Sequence, residues 1–370
     1  MFRFRRRAPA VIVSFAALVI VAMAVFVHEL TDVMVARAEA SDFFLMRKVL
    51  ADVLRDGSEG ALVRAELISS MPSIRKAFAT RDRALLAEEC KEMFAEQRDK
   101  YGMDEGQFLL APGTSFLRLH APESFGDDQS KTRPILADVF SKKQHKAGVV
   151  LTPSGVFLTA LVPMEDLDGK LTGAFEMGLD FEPTIDEMKN AYGIDAALFL
   201  DAKLLRDVGA QQKGEGKPHV GGYVRTYATH DALMDALTRD AALDVTGARS
   251  YSRVALGATW GVQLVPLYDH ANHPIGVIAM ARDFSGVIAM EGRAKVWQIF
   301  AAFVTIVLLT GVVLVVIRGA LLRPLADLTK KLRALADGDA SQPADDASSY
   351  CEELQELAES YERLRGEKQP

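Results

Sequence analysis

Cysteine is nearly absent: 370 residues hold two, Cys90 and Cys351. That excludes a disulfide framework, so any part folded outside the cytosol has to be held by its own apolar core. Short catalytic signatures are missing too. No HExxH, P-loop, GxSxG, complete GxGxxG or CxxC pattern occurs, and the seven histidines are scattered. The expectation is a protein that is not an enzyme and carries no cofactor or metal. His270 and His273 fall in a hairpin-turn composition and read as exposed loop. A third scarcity is local. Ala8–Val27 and Val296–Ile317 hold no charged residue over 20 and 22 positions. As helices they reach about 30 Å and 33 Å, the thickness of a bilayer's hydrocarbon core.

What is present fits that reading. The segment between the spans, residues 28–295, carries 31 Lys and Arg against 39 Asp and Glu. Arg3, Arg5, Arg6 and Arg7 precede the first span, and Arg318, Arg323, Lys330, Lys331 and Arg333 follow the second. The positive-inside rule then puts both termini in the cytoplasm and the acidic middle in the periplasm of an inner-membrane protein. An acidic exterior also argues against nucleic acid. Ala22-Met23-Ala24 fits a signal-cleavage site, but the apolar run continues through Val25-Phe26-Val27 past it. Cys90 and Cys351 fall on opposite sides of the membrane and cannot pair.

Glu29–Val53 has no Pro or Gly and reads as one helix, and Arg83–Lys100 as another ending at Gly102. From residue 107 the pattern turns to strands: Gln107–Leu110, Ser115–His120, Gly148–Leu151, Val156–Pro163 and Leu171–Asp180, with a short helix begun by Pro134. A second set follows: Ala191–Asp201, a Gly-rich loop at Gly209–Gly222, a helix His230–Leu243, then Tyr251–Leu256, Gly261–Leu267 and Pro274–Ala281. Val162-Pro163-Met164…Gly173 is echoed by Val265-Pro266-Leu267…Gly276. Two related α+β modules with antiparallel sheets are expected in tandem, with one larger sheet as the alternative.

The run Ser115-Phe116-Leu117-Arg118-Leu119-His120-Ala121-Pro122-Glu123-Ser124-Phe125-Gly126-Asp127-Asp128-Gln129-Ser130…Arg133-Pro134 resembles the membrane-distal module of a double Cache sensor, type 3-like. Such sensors occur on methyl-accepting chemotaxis receptors, sensor histidine kinases and cyclic-di-GMP enzymes. The resemblance implies PAS-like sheets that bind small ligands outside the cytoplasm. The tail resembles a HAMP domain: Pro324 opens a helix with Leu325, Leu328, Leu332 and Leu335 spaced 3, 4, 3, and Glu352-Glu353 opens another with Leu354, Leu357, Tyr361 and Leu364. Gln355 stands where that family usually has Gly. Two heptad seams per chain are best buried in a homodimeric four-helix coiled coil.

The expected α+β membrane receptor therefore has a basic N-terminus at 1–7 and a span at 8–27. A long helix with the distal module covers 28–200 and the proximal module 201–290. The second span is 296–317, and HAMP occupies 318–367.

Strict alternation in Ser115–His120 puts Phe116, Arg118 and His120 on one face and Ser115, Leu117 and Leu119 on the core side. Two roles stay open for the charged residues. Arg118 and Arg133 hold the anionic group of a carboxylate-bearing ligand, with Phe116 and His120 shaping the pocket. Alternatively Asp127 and Asp128 neutralise the arginines and pin the Phe125–Ser130 loop, and both hold if a ligand replaces one carboxylate. Glu176, Gly178 and Asp180 share a strand face; exposure is expected for Glu176, and that face favours a zwitterion or amine if it joins the pocket.

Nothing in the cytoplasmic tail resembles a kinase phosphoacceptor helix, a cyclase or the long methylated hairpin of a chemoreceptor. The expectation is a chemotaxis-like receptor that signals through a separate cytoplasmic protein. The alternatives are a truncated input half of a histidine kinase or diguanylate cyclase, and a non-signalling membrane-anchored binding or scaffold protein.

Overall fold

The first helix, α1 (Phe4–Ser70), runs well beyond the stretch expected from the sequence. Its C-terminal half is held by packing: Met46, Val49, Leu50, Ala61, Ala65 and Ile68 form a buried stripe at helical spacing. The computed structural model describes residues 4–131, 133, 135–244, 246–344 and 352–368; Arg3, Pro134 and Cys351 lie outside them. The chain forms two units, Arg37–Ile288, and the segments Met1–Ala36 and Ala289–Pro370 together.

In the first unit α1 is followed by α2 (Pro72–Ala79), which the sequence reading missed, and α3 (Arg83–Tyr101). The Asp82 carboxylate accepts from Leu85 N at 3.0 Å to cap α3, and Gly102 ends it in the left-handed region. Next come β1 (Glu105–Leu110), β2 (Thr114–Arg118), α4 (Ile135–Lys142), β3 (Lys146–Thr152), β4 (Gly155–Glu165) and β5 (Leu171–Asp180). They form an antiparallel sheet in the order β2-β1-β5-β4-β3. One face packs Phe108, Phe175, Met177, Ala160 and Val162 against α1, α2 and α3. The other packs Leu109, Leu161 and Ala174 against α4.

Asp180 caps α5 (Phe181–Tyr192), leading to β6 (Asp195–Asp201), α6 (Ala202–Asp207), β7 (His219–Val220), β8 (Tyr223–Ala228), α7 (Asp231–Thr238), β9 (Arg249–Ala255), β10 (Ala258–Tyr268) and β11 (Pro274–Asp283). The second sheet runs β7-β8-β6-β11-β10-β9. Because β6 bonds to β11 and β8, the module boundary falls before Asp195 rather than at 200/201.

The tandem repeat is exact in register at its two glycines. Gly173 lies opposite Met164 and Gly276 opposite Leu267. A Cβ on either would run into a neighbouring strand's carbonyl, Leu109 O for Gly173 and Phe199 O for Gly276. A common core of α1, α5 and residues of both sheets, including Met46, Leu158, Phe181, Ile185, Leu198 and Met280, joins the modules.

In the second unit, α8 (Ser285–Ile317) passes through a π-helical turn, Arg318–Leu322, into α9 (Arg323–Ala336). Two stretches, Ala17–Ser70 of α1 and Lys295–Val315 of α8, are long and apolar enough to cross a membrane. Gln298 Nε2 donates to Thr31 Oγ1 at 2.8 Å. The last helix, α10 (Glu352–Lys368), packs on α9 through Leu328, Leu354 and Ala358, while Tyr361 donates to Gln342 O. Of the two expected seams, Leu328, Leu335, Leu354 and Tyr361 are buried, and Leu325 and Leu364 stay exposed.

Candidate functional site

On β1, Glu105, Gln107 and Leu109 alternate onto the α4 side of the first sheet, opposite Gly178, Glu176 and Ala174 of β5. The apolar end of that face is covered by α4. Its polar end opens into a cavity of about 500 Å³.

The cavity's edge strand departs from simple alternation. Phe108 pairs with Leu117 and Leu109 with Ser115, so Phe116 is an extra residue, a β-bulge. The bulge turns Phe116 and Leu117 to the same side. Phe116 packs edge-on against Phe78, with ring centroids 5.7 Å apart, in the core under α2 and α3. Ser115 is fully buried and its Oγ donates to Gln107 Oε1 on the cavity side. Phe116 is therefore not a cavity residue, which corrects the alternation read from the sequence. The other five expected residues, Arg118, His120, Asp127, Asp128 and Arg133, all line the cavity.

The two arginines meet different carboxylates. Arg118 Nη1 donates to Asp127 Oδ1 at 2.8 Å and Nη2 to Asp127 Oδ2 at 2.7 Å, and Nη1 also reaches Ser124 O. This fork holds the 119–131 loop, whose backbone pairs with Ser115 through Asp127 O and Gly126 N. The Arg118 hydrogen bonds hold the Asp127 carboxyl below the usual aspartate range. Asp128 is not an arginine partner. Its Oδ1 accepts from Ser130 N at 2.9 Å, and the Ser130 hydroxyl and amide lower its pKa.

Arg133 Nη1 donates to Glu176 Oε2 at 2.6 Å, and Nη2 to Oε1. Glu176 is 3% exposed, against the expectation of a solvated side chain. Burial opposes the Arg133 charge, but Glu176 outweighs it and raises the pKa above the ordinary arginine value. Arg133 Nε is enclosed without an acceptor. Gln129 ties the two pairs together, accepting from Arg133 Nη1 at 3.2 Å and donating to Asp127 Oδ2 at 3.2 Å.

Sequence reading missed Glu105 altogether because it started the strand at Gln107. Its Oε1 accepts from Thr152 Oγ1 at 3.2 Å. Burial and the neighbouring Glu176 push its carboxyl up to about 7, partly offset by Arg133 and Thr152. The legible signal was the period: Glu105 and Gln107 place two polar side chains on a strand face that Leu109 continues as core. His120 sits exposed at the mouth. Partial burial and Arg118 lower its pKa, and Gly106 N–H donates to its Nδ1 at 3.4 Å, which assigns the neutral ring's proton to Nε2. The remaining wall is the β3–β4 turn and, from the second module, Asp207 and Val208.

His270 is not in exposed loop. It leaves the β10–β11 turn to lie against Gly148 of β3, its N–H donating to Val149 O at 3.0 Å, and both ring nitrogens are enclosed without partners. Its neighbour His273 is exposed beside Asp269.

A family model described as the double sensory domain of two-component sensor kinases, dCache_3, matches residues 46–288. No curated protein matches the chain. Among solved structures, the sensory domain of a Campylobacter jejuni chemoreceptor with isoleucine bound is 11% identical. That likeness covers 71% of this chain and 98% of that one at a TM-score of 0.41. The ligand-binding domain of a Pseudomonas fluorescens chemoreceptor in complex with L-isoleucine is also 11% identical, covering 78% and 99% at 0.32. An extracellular ligand-binding receptor from Desulfohalobium retbaense is 12% identical at 0.35; the match spans 65% of this chain and 40% of that one.

Proposed function

Since the chain belongs to the dCache_3 family of double sensory domains, we propose that it is a membrane receptor that binds a small polar ligand in the first module and relays the event to the cytoplasm. The observation that carries this reading is the cavity itself. About 500 Å³ of space opens on a sheet face, lined by two arginine–carboxylate pairs and closed by a loop that one of them holds. Arg118–Asp127 is the element a ligand biases: it pins the loop at the cavity, and Asp127 is half exposed, so the loop opens and closes around a ligand at small cost. A ligand shifts such an equilibrium only by its differential affinity for the two loop states.

In this reading α1 and α8 cross the inner membrane, the sensory part is periplasmic and both termini are cytoplasmic. The α9–α10 pair acts as a HAMP relay in a homodimer and passes the signal to a separate protein, as in chemotaxis. The support is the acidic middle with basic flanks and the partial seams: Leu325 and Leu364 stay exposed and are available to a second copy.

The test uses the full chain in lipid nanodiscs, heated in the presence of a panel of amino acids, organic acids and amines. A ligand at 100 times its Kd adds about 2.7 kcal/mol to stability. The expected result is a response to at least one compound that Arg118→Ala abolishes while melting within a few degrees of the parent. A response that Arg118→Ala leaves intact overturns the cavity reading. For the relay, Leu325→Cys in membranes should give an interchain disulfide on mild oxidation, and its absence counts against the homodimer.

A further inference from the structure

We propose that this cavity seats an organic cation, an ammonium or guanidinium group held by the Glu105 carboxylate, and that its capture expels a proton. The proposal rests on the sensor reading above and adds the charge class of the ligand.

The argument is the balance of charge left after the protein has paired its own groups. Arg118 is forked onto Asp127, and Arg133 onto Glu176. What remains around the space is Glu105, with Asp128 on the loop and Asp207 from the second module. An anionic ligand has to displace one of two bidentate pairs: displacing Glu176 strands a buried carboxylate, and displacing Asp127 gives up the fork that holds the loop. A cation breaks neither pair. The Arg133 Nε, enclosed without an acceptor, needs only a neutral oxygen.

Glu105 is suited to the seat. Its carboxyl is hydrogen-bonded by Thr152 on the β3–β4 turn and lies in the field of Glu176 on β5, with Arg133 opposing. The other ionisable groups on the cavity wall are Arg118, His120, Asp127 and Asp128 from β2 and its loop, and Asp207 at the end of α6. Desolvation and Glu176 keep the empty site's carboxyl largely protonated below pH 7. An arriving ammonium replaces that proton: the carboxylic acid and R–NH₃⁺ give the carboxylate–ammonium pair, and the proton goes to solvent. No bond to carbon changes.

The experiment is titration calorimetry on the full chain in nanodiscs, with putrescine as the probe cation and succinate as the probe anion. Putrescine is expected to bind about tenfold more weakly at pH 6 than at pH 8. At pH 6 its heat should change between buffers of different ionisation enthalpy in proportion to nearly one proton released. Glu105→Gln should weaken putrescine at least tenfold and flatten the pH dependence, whereas His120→Asn should leave that dependence in place. The buffer dependence is read on the parent chain, so it decides the matter even if Glu105→Gln misfolds. Binding of succinate without putrescine overturns the cation assignment and leaves the sensor reading standing. Putrescine binding with no proton released, or undiminished by Glu105→Gln, also overturns it.

Discussion

Arg118 and Asp127, nine residues apart in the chain, meet end-on, Nη1 on Oδ1 and Nη2 on Oδ2. Arg133 and Glu176 repeat the arrangement 43 residues apart. The chemistry is the same but the setting is not. Asp127 is half exposed, whereas the Glu176 side chain is 4% exposed.

Burial should decide the cost of losing each arginine. Arg118→Ala is expected to lower unfolding stability by less than about 1 kcal/mol, since its partner is free to hydrate. Arg133→Ala strands a buried carboxylate and should cost about 3–5 kcal/mol. Paired denaturant melts of the two variants measure the contrast, and equal losses would contradict it.

Glu105 makes the empty receptor weaker as pH rises. Its folded pKa is about 7 against 4.5 for a free glutamate. Its contribution is therefore fully present below pH 4.5 and lost as pH climbs through 7. The shift sets an upper limit of about 3 kcal/mol. Melts between pH 5 and pH 8 should show this decline, and Glu105→Gln should reduce it.

His270 acts in the opposite direction. Burial lowers its pKa below the ordinary 6.5, so the fold holds it neutral. Its contribution is present above pH 6.5 and is lost as pH falls and the unfolded chain takes up the proton. Replacing it with Leu, which has no polar atoms to strand, should leave stability at pH 8 unchanged or raised and remove the acid-side loss. Melts of His270→Leu at pH 5 and pH 8 check this.

Phe116→Ala separates core from cavity. Phe116 is half-buried against Phe78, so truncation is expected to cost about 2 kcal/mol, less than for a fully buried Phe. Ligand affinity, measured well below the melting temperature, should stay within about twofold. A selective loss of affinity would return Phe116 to the pocket wall.

The tandem α+β architecture was readable because each strand carries period-two patterning between turn residues, and because the Gly173 and Gly276 segments repeat. The sequence also pointed to five of the cavity's residues, through the density of charge between Arg118 and Arg133. Pairing was beyond it. Which carboxylate meets Arg133 depends on β5 lying beside β1, a contact between residues far apart in the chain. Glu176 looked like a solvated acid because its partner arrives from before α4. The helix α1 ran past Val53 because packing under the first sheet overrides the helix-weakening Gly57 and Gly60.

The surplus residue in β2 has an evolutionary corollary. Strand side chains behave like a two-letter reading frame, and Phe116 is a frameshift within it. Deleting that one position would leave Ser115 opposite Leu109 and Leu117 opposite Phe108, a regular ladder with Ser115 and Arg118 still on the cavity side. Relatives that lack this one residue are thus expected to keep the same chemistry at the mouth while losing the Phe78 contact, and an alignment that places the gap one column away would assign their residues to the wrong face.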